Sequence, residues 1–182
     1  MKVVMISGKS GSGKDTLANF MNELLIAENK RVIIIHYADC VKFYAKQYMG
    51  WNGEKDEYGR SLLQNLGTNW VRAKYPNYWA DLVGQFLNAV DDQFDVALIP
   101  DLRFCNEERR VKKFNKDCVT IRINKLTEDG DYILNPNLTP EQHRHPSECD
   151  MDDVAFDIMI NNYDTLEDLK KDAKEVIKMI GV

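Results

Sequence analysis

The segment from Lys2 to Thr16 reads KVVMISGKSGSGKDT and sets the architecture of this 182-residue chain. Its first six residues form a short apolar run, which is typical of a buried parallel strand. Gly8, Gly13 and Lys14 then match the spacing G-x-x-x-x-G-K. After Lys14, apolar residues recur at helical spacing, namely Leu17, Phe20, Met21, Leu24 and Leu25. A strand, a glycine loop and a helix in this order predict a phosphate-binding loop rather than a chance glycine-rich turn.

The glycine loop predicts binding of ATP. Glycines let backbone N–H groups turn inward around phosphate oxygens, and the following helix N-terminus adds the positive end of its dipole. Lys14 is expected to reach the β- and γ-phosphates as a mobile charge, and Thr16 to donate a hydrogen bond to the α-phosphate. The predicted ATP-binding residues are Gly8, Ser10, Gly11, Ser12, Gly13, Lys14, Asp15 and Thr16.

Asp15 occupies the position after the loop lysine, where such loops normally carry a Ser or Thr that binds Mg²⁺. Two interpretations of Asp15 remain open at this point. Its carboxylate holds Mg²⁺, directly or through water, or it is a first-turn carboxylate that suits the helix dipole.

The rest of the chain alternates between strand and helix patterns. Buried strands are predicted over residues 32–35, 94–99, 119–123 and 156–160, and helices over 41–49, 62–71, 79–90 and from Thr165. This alternation predicts an α/β fold with a doubly wound, mainly five-stranded parallel sheet and helices on both faces. One domain spans residues 1–182, with an acceptor-binding helical region at about 39–92. The polar, proline-containing stretch at about 124–150 predicts a lid.

Charged residues follow two of the predicted strands, where an open α/β sheet forms its ligand crevice. Asp101 is expected to hold Mg²⁺ or its waters, and Arg103 to bind an acceptor phosphate through two hydrogen bonds. The alternative is a simple ion pair between Asp101 and Arg103. Asp39 and Lys42 follow the second strand in the same way, although Asp39 also suits the cap of the next helix.

The composition limits the classes of partner. A formal net charge of -5 argues against a nucleic-acid partner, because phosphate backbones attract basic surfaces. No apolar run approaches the ~20 residues of a membrane span, and the four scattered cysteines are typical of reduced thiols. We expect a small-molecule substrate, no membrane partner, a monomer or homodimer, and a cytoplasmic location in a bacterium or a phage-infected host.

The ordered motifs resemble the deoxynucleoside monophosphate kinases of tailed phages and their bacterial relatives, within the adenylate-kinase-like group of P-loop proteins. The matching segments run over nearly the whole chain: residues 8–16, 37–42, 62–68, 78–79, 99–103 with 106–107, 145–148, and 160–162 with 166–169. The resemblance implies transfer of the ATP γ-phosphoryl group to a deoxynucleoside monophosphate. Lys14 would then bind the phosphates of ATP, and Asp101 would organise Mg²⁺.

The resemblance also implies an acceptor side. It would be lined by Asp39, Lys42, Arg60, Gln64, Thr68, Arg72, Trp79 and Arg103, with His145 and Glu148 contributed by the lid. Arg60 and Arg72 lie twelve positions apart, about 18 Å along a regular helix, so both cannot clamp one phosphate unless that helix is interrupted. Asn162 would lie near the adenine or form an ordinary turn. Arg122 and Arg144 would stabilise the transferring phosphoryl group or remain surface arginines.

Other functions stay open at this stage. Dephospho-CoA kinase and phosphomevalonate kinase share the scaffold and the phosphate-binding logic. A nucleotide-binding ATPase or switch protein would hydrolyse ATP without a small acceptor. A phosphate acceptor needs no general base, which agrees with the absence of an obvious Ser-His-Asp or Cys-His motif.

Overall fold

A single parallel sheet forms the centre of the molecule in the computed structural model, which describes residues 1–54, 56–163 and 165–182. Its strands are β1 (Lys2–Ser7), β2 (Val32–Ile34), β3 (Val96–Leu102), β4 (Cys118–Lys125) and β5 (Ile158–Asn162). They lie in the order β2-β3-β1-β4-β5, and all four pairings are parallel. The predicted five-stranded α/β fold is confirmed.

Helices connect the strands on both faces of the sheet. They are α1 (Lys14–Ala27), α2 (Tyr37–Tyr48), α3 (Glu57–Gln64), α4 (Tyr78–Ala89), α5 (Cys105–Phe114), α6 (Pro140–His143), α7 (Pro146–Cys149) and α8 (Leu166–Ile180). A π-helical segment, Asn65–Arg72, follows α3 directly. The helix predicted over residues 62–71 is present, but its hydrogen bonding changes from α to π at residue 65.

Strand β1 separates two cores. Val4 and Ile6 face the cluster formed with α1 and α8, whereas Val3 and Met5 face the cluster formed with α4 and α5. Because apolar side chains cover both faces, the strand reads as an unbroken apolar run rather than an alternating one. A third cluster, which includes Trp51, joins α2, α3, the π-helical segment and α4 into one helical layer beside the sheet.

The chain between β4 and β5 contains more regular structure than the sequence predicts. Strand β4 extends through Lys125, and the short helices α6 and α7 lie within the predicted lid. Met151, just beyond α7, is buried in the core against α4 and α5. In the described part of the chain, no helix has the length and apolarity that a membrane crossing requires.

Candidate active site

The glycine loop connects β1 to α1 in a tight turn. A Cβ atom at Gly8 would lie 2.4 Å from the backbone oxygen of Ile123, so a larger residue would clash with β4. Gly13 has φ +102°, and a Cβ there would lie 2.9 Å from Asn162 Nδ2. Both positions therefore require glycine. Gly8 requires it because of its close neighbours, and Gly13 because of its close neighbour and its left-handed backbone.

The loop leaves donors unused at its concave side. Ser12 N donates to Lys9 O at 3.1 Å, which closes the turn. Among the residues that the structure describes, the amides of Gly11, Gly13 and Lys14 have no hydrogen-bond partner, and neither does the buried Ser12 Oγ. Unused amides at a helix N-terminus form an anion-binding site, because each lacks an acceptor and the helix dipole favours negative charge.

Lys14 lies under the loop with 5% of its surface exposed. Its Nζ atom donates to Gly8 O and Lys9 O, both at 2.8 Å. Burial, followed by repulsion from Arg103, lowers the pKa of Lys14 to about 8, although nearby carboxylates oppose this shift. Those carboxylates belong to Glu148, Asp15 and Asp101. The ammonium group is thus held in a poorly solvated place where a phosphate anion would stabilise its charge.

Asp101 lies near the end of β3, at the sheet edge that the sequence predicts. Its two carboxylate oxygens accept hydrogen bonds from Tyr37 N at 3.0 Å and Ala38 N at 3.1 Å, at the start of α2. Burial raises the pKa of Asp101 above its ordinary value. Arg103 forms an ion pair with Glu148. The alternative that the sequence left open, an ion pair between Arg103 and Asp101, is therefore wrong.

Asp15 belongs to a chain of polar contacts that leads away from the loop. Its exposed carboxylate lies 3.2 Å from His36 Nε2, and His36 Nδ1 lies 3.2 Å from Asp39 Oδ2. Lys42 Nζ donates to Asp39 Oδ1 at 3.1 Å. Asp39 also accepts a hydrogen bond from His36 N at 2.9 Å and so caps α2. Sequence reasoning missed His36, although it follows β2 at the same edge of the sheet.

A cavity of about 580 Å³ opens beside the glycine loop. It lies between α2, α3, the π-helical segment and the lid helices α6 and α7. Several predicted acceptor residues line it together with Ser10: Lys42, Arg60, Gln64, Thr68, Arg103, His145 and Glu148. The cavity therefore brings basic side chains from three parts of the chain to the end of the phosphate loop.

A smaller pocket of about 150 Å³ adjoins this cavity and is lined by two further predicted acceptor residues, Arg72 and Trp79. The predicted acceptor residue Asp39 is not in the lining of either one. Arg72 Nη2 donates to Glu107 Oε1 at 2.7 Å, and its guanidinium lies 4.1 Å from the centre of the Phe104 ring. Burial raises the pKa of Glu107 to about 7. Arg60 lines the large cavity and Arg72 the small pocket.

The lid helix α7 is fastened to the loop. Glu148 Oε2 accepts a hydrogen bond from Ser10 N at 2.7 Å, and its other oxygen pairs with Arg103. Lys9 Nζ donates to Glu148 O at 2.6 Å and also pairs with Asp152. One loop amide thus donates to a carboxylate of the chain itself, so a phosphate oxygen would have to displace Glu148 to bind Ser10 N.

Three further predicted residues lie outside the cavity. Arg122 is buried on β4, where it donates to Ser7 Oγ at 3.2 Å and to Asp152 Oδ1 at 2.7 Å. Asn162 supports the loop from behind, since its Nδ2 donates to Ser12 O at 2.9 Å. The Arg144 side chain is 75% exposed and lies 3.8 Å from Glu141. The catalytic roles of Arg122 and Arg144 stay predictions, as does adenine contact by Asn162.

Comparison with known proteins identifies the fold. No protein-family model and no curated protein matches the sequence. The APS kinase CysC of Mycobacterium tuberculosis, solved in complex with AMPPNP and APS, is similar at 12% identity and a TM-score of 0.56, over 100% of this chain and 98% of that one. A sugar kinase from Janibacter sp. is similar at 14% identity and a TM-score of 0.54, over 100% and 99%. The chain therefore has the fold of the P-loop kinases.

Proposed function

We propose that this protein transfers the γ-phosphoryl group of ATP to a deoxynucleoside monophosphate, giving ADP and a deoxynucleoside diphosphate. The observation that carries the proposal is the basic cavity at the end of the glycine loop. Lys42, Arg60 and Arg103 line it beside Ser10, whose amide already binds a carboxylate. The three cations outnumber the two carboxylates of the lining, Glu141 and Glu148, and a cavity with this excess of positive charge next to a triphosphate site suits an acceptor that is itself an anion.

The unused hydrogen-bond donors of the glycine loop fit the phosphates of ATP. The unused loop amides of Gly11, Gly13 and Lys14 lack acceptors, and the phosphate oxygens of ATP would supply them. Mg²⁺ normally binds to one or two protein carboxylates together with phosphate oxygens and water. Asp15 and Asp101 both lie close enough to Lys14 to raise its pKa, so these two carboxylates would be the ones to hold Mg²⁺ beside the phosphates. When bound, Mg²⁺ would neutralise charge on the transferring phosphoryl group.

The acceptor cavity supports a monophosphate as substrate. Arg103 approaches from the end of β3 and Arg60 from α3, so the acceptor phosphate would bind between two elements of the fold. The choice of a deoxynucleoside monophosphate rests on the family resemblance, above all on residues 62–68, of which Leu63, Gln64 and Thr68 line the cavity. The volume of about 580 Å³ is in the range of small-molecule sites and exceeds what a phosphate alone requires.

The reaction needs alignment and charge neutralisation rather than a base. An oxygen of the acceptor phosphate is anionic near neutral pH and attacks the γ-phosphorus, so no proton has to be removed. The bond between the γ-phosphorus and its bridging oxygen breaks, and ADP leaves with the electron pair. Lys14 would neutralise the negative charge on the β- and γ-phosphate oxygens. Arg103 would hold the acceptor phosphate in line with the bond that breaks. The α6–α7 lid would exclude water and so limit hydrolysis of ATP.

An acceptor screen tests this function. The release of ADP from ATP and Mg²⁺ is measured with deoxynucleoside and ribonucleoside monophosphates, dephospho-CoA, phosphomevalonate and APS, each against a sample without acceptor. We expect stimulation by deoxynucleoside monophosphates. Stimulation by dephospho-CoA or phosphomevalonate alone would instead identify the protein as a kinase of that acceptor. Steady hydrolysis that no acceptor changes would replace it with an ATPase or switch function.

A further inference from the structure

The acceptor cavity contains a hydroxyl group and a base that the proposed reaction does not use. Ser147 and His145 both line it, and His145 Nδ1 lies 2.8 Å from Ser147 Oγ. A phosphate acceptor is already anionic, whereas transfer to a hydroxyl group requires removal of its proton. A serine within hydrogen-bond reach of a histidine is the arrangement that makes a hydroxyl group nucleophilic. The pair therefore suits a second kind of acceptor, which belongs to the protein itself.

The hydrogen bonds of His145 leave its Nδ1 atom without a proton. Ser147 N donates to this atom at 3.2 Å, and a backbone amide can only donate. Nδ1 is therefore an acceptor, and the proton of the neutral imidazole lies on Nε2. The Ser147 hydroxyl must then be the donor in the 2.8 Å contact, so its proton points to a basic nitrogen. The amide bond also caps α7, but capping does not require the second bond from the hydroxyl.

Ser147 lies beside the place where the phosphates of ATP would bind. The side chain of the next residue, Glu148, accepts from Ser10 N at 2.7 Å, so a phosphate oxygen that displaced this carboxylate would bind next to Ser147. Arg103 Nη1 donates to Ser147 O at 3.1 Å. After burial, Arg103 and Glu148 have the largest effects on the pKa of Lys14, so both lie near its ammonium group. Ser147 is therefore close to the groups that would bind the γ-phosphate.

We propose that the protein phosphorylates its own Ser147 with ATP when the acceptor cavity is empty. The Ser147 oxygen forms a bond to the γ-phosphorus, the bond from the γ-phosphorus to its bridging oxygen breaks, and ADP leaves with the electron pair. The hydroxyl proton passes to His145 Nδ1, which acts as the general base. This inference rests on the ATP site of the proposed function and not on its acceptor.

Modification of Ser147 would close the cavity to the acceptor. A phosphoserine carries a charge of about −1.5 to −2. It would pair with Arg103, which now binds Glu148 and which is expected to hold the acceptor phosphate. A bound acceptor and a phosphoserine therefore exclude each other, so an excess of a deoxynucleoside monophosphate should protect Ser147 from modification.

The experiment incubates the protein with γ-³²P-labelled ATP and Mg²⁺ in the absence of any acceptor. We expect a single labelled phosphoryl group per chain, located on Ser147 by mass spectrometry, at a rate per chain that does not depend on protein concentration. His145→Asn keeps a side-chain oxygen to cap α7 but supplies no base, so it should slow the labelling about 100-fold. His143→Asn is the matched control, since His143 does not line the cavity, and it should leave the rate unchanged.

The outcomes separate the two proposals. Label on another residue, or no label in a protein that forms deoxynucleoside diphosphate, would overturn the modification of Ser147 and leave the kinase function intact. An unchanged rate in His145→Asn would overturn the role of the base. Ser147→Ala should lose the label; should it fail to fold, Ser147→Thr keeps the hydroxyl and should be labelled at the same position. Label on Ser147 without any deoxynucleoside diphosphate would contradict the proposed acceptor and support the modification, and the absence of both products would overturn both proposals.

Discussion

Replacement of Lys14 by methionine should stabilise the folded protein while abolishing phosphoryl transfer. Methionine has a similar length and no charge, so it fills the same space beneath the glycine loop. Burial and Arg103 lower the pKa of Lys14 from 10.5 to about 8. That difference of about 2.5 units corresponds to roughly 3 kcal/mol of cost for the charged lysine at neutral pH.

The stabilisation measured at pH 7 should be smaller than this cost. The variant also loses the two hydrogen bonds from Nζ to Gly8 O and Lys9 O, each contributing about 1 kcal/mol. We therefore expect Lys14→Met to raise the free energy of unfolding by about 1 kcal/mol. Urea unfolding curves of the variant and the wild type measure the change.

The pH dependence distinguishes this cause from a general packing effect. Between about pH 8 and 10.5 the unfolded chain keeps a proton on Lys14 that the folded protein has lost, so raising the pH stabilises the wild type. The advantage of Lys14→Met should shrink by about 2 kcal/mol from pH 7 to pH 9.5. Lys46→Met, on the exposed surface of α2, is the control and should show no such change. A variant less stable than the wild type at pH 7, or a difference independent of pH, would refute the reasoning.

Three further predictions concern the same site. Since Lys14 must carry its proton to bind phosphates, kcat/KM should fall about tenfold per pH unit above about pH 8, and a flat profile to pH 9.5 would contradict this assignment. Glu148→Gln removes a negative charge from Ser10 N and Arg103, so the Kd for ATP should fall about fivefold in equilibrium binding; a higher Kd would show that the carboxylate assists the nucleotide. Asp101→Asn should weaken activation by Mg²⁺ about tenfold or more in a metal titration, and an unchanged titration would exclude Asp101 as a ligand.

The sheet was predictable because its signals are local. Runs such as Val3 to Ile6 are apolar throughout, as strands buried on both faces of a parallel sheet are, and the glycine loop that follows favours a strand over a buried helix. Helix α5 was not predicted, since CNEERRVKKF buries only Glu107 and Val111 and shows no apolar stripe. The change from α- to π-helix at Asn65 also leaves no mark on the spacing of apolar residues.

The candidate site was predictable only in part, because only some of its contacts follow from local sequence signals and strand order. The ends of parallel strands meet at one edge, so the positions of Lys14 and Asp101 follow from topology alone. The contact of Glu148 with Ser10 joins residues 138 positions apart through the packing of α7. Glu107 is a buried carboxylate whose partners come from three different positions. Such contacts depend on how loops and short helices pack, which no periodicity in the sequence records.

The fate of the γ-phosphoryl group tests the central claim most directly. The protein is incubated with γ-³²P-labelled ATP, Mg²⁺ and one deoxynucleoside monophosphate, and the products are separated by chromatography. The proposed function predicts that the label appears in the deoxynucleoside diphosphate, in an amount equal to the ADP formed, and that Lys14→Met forms none. Label found only in inorganic phosphate, at a rate that the acceptor does not change, would contradict phosphoryl transfer to a small molecule.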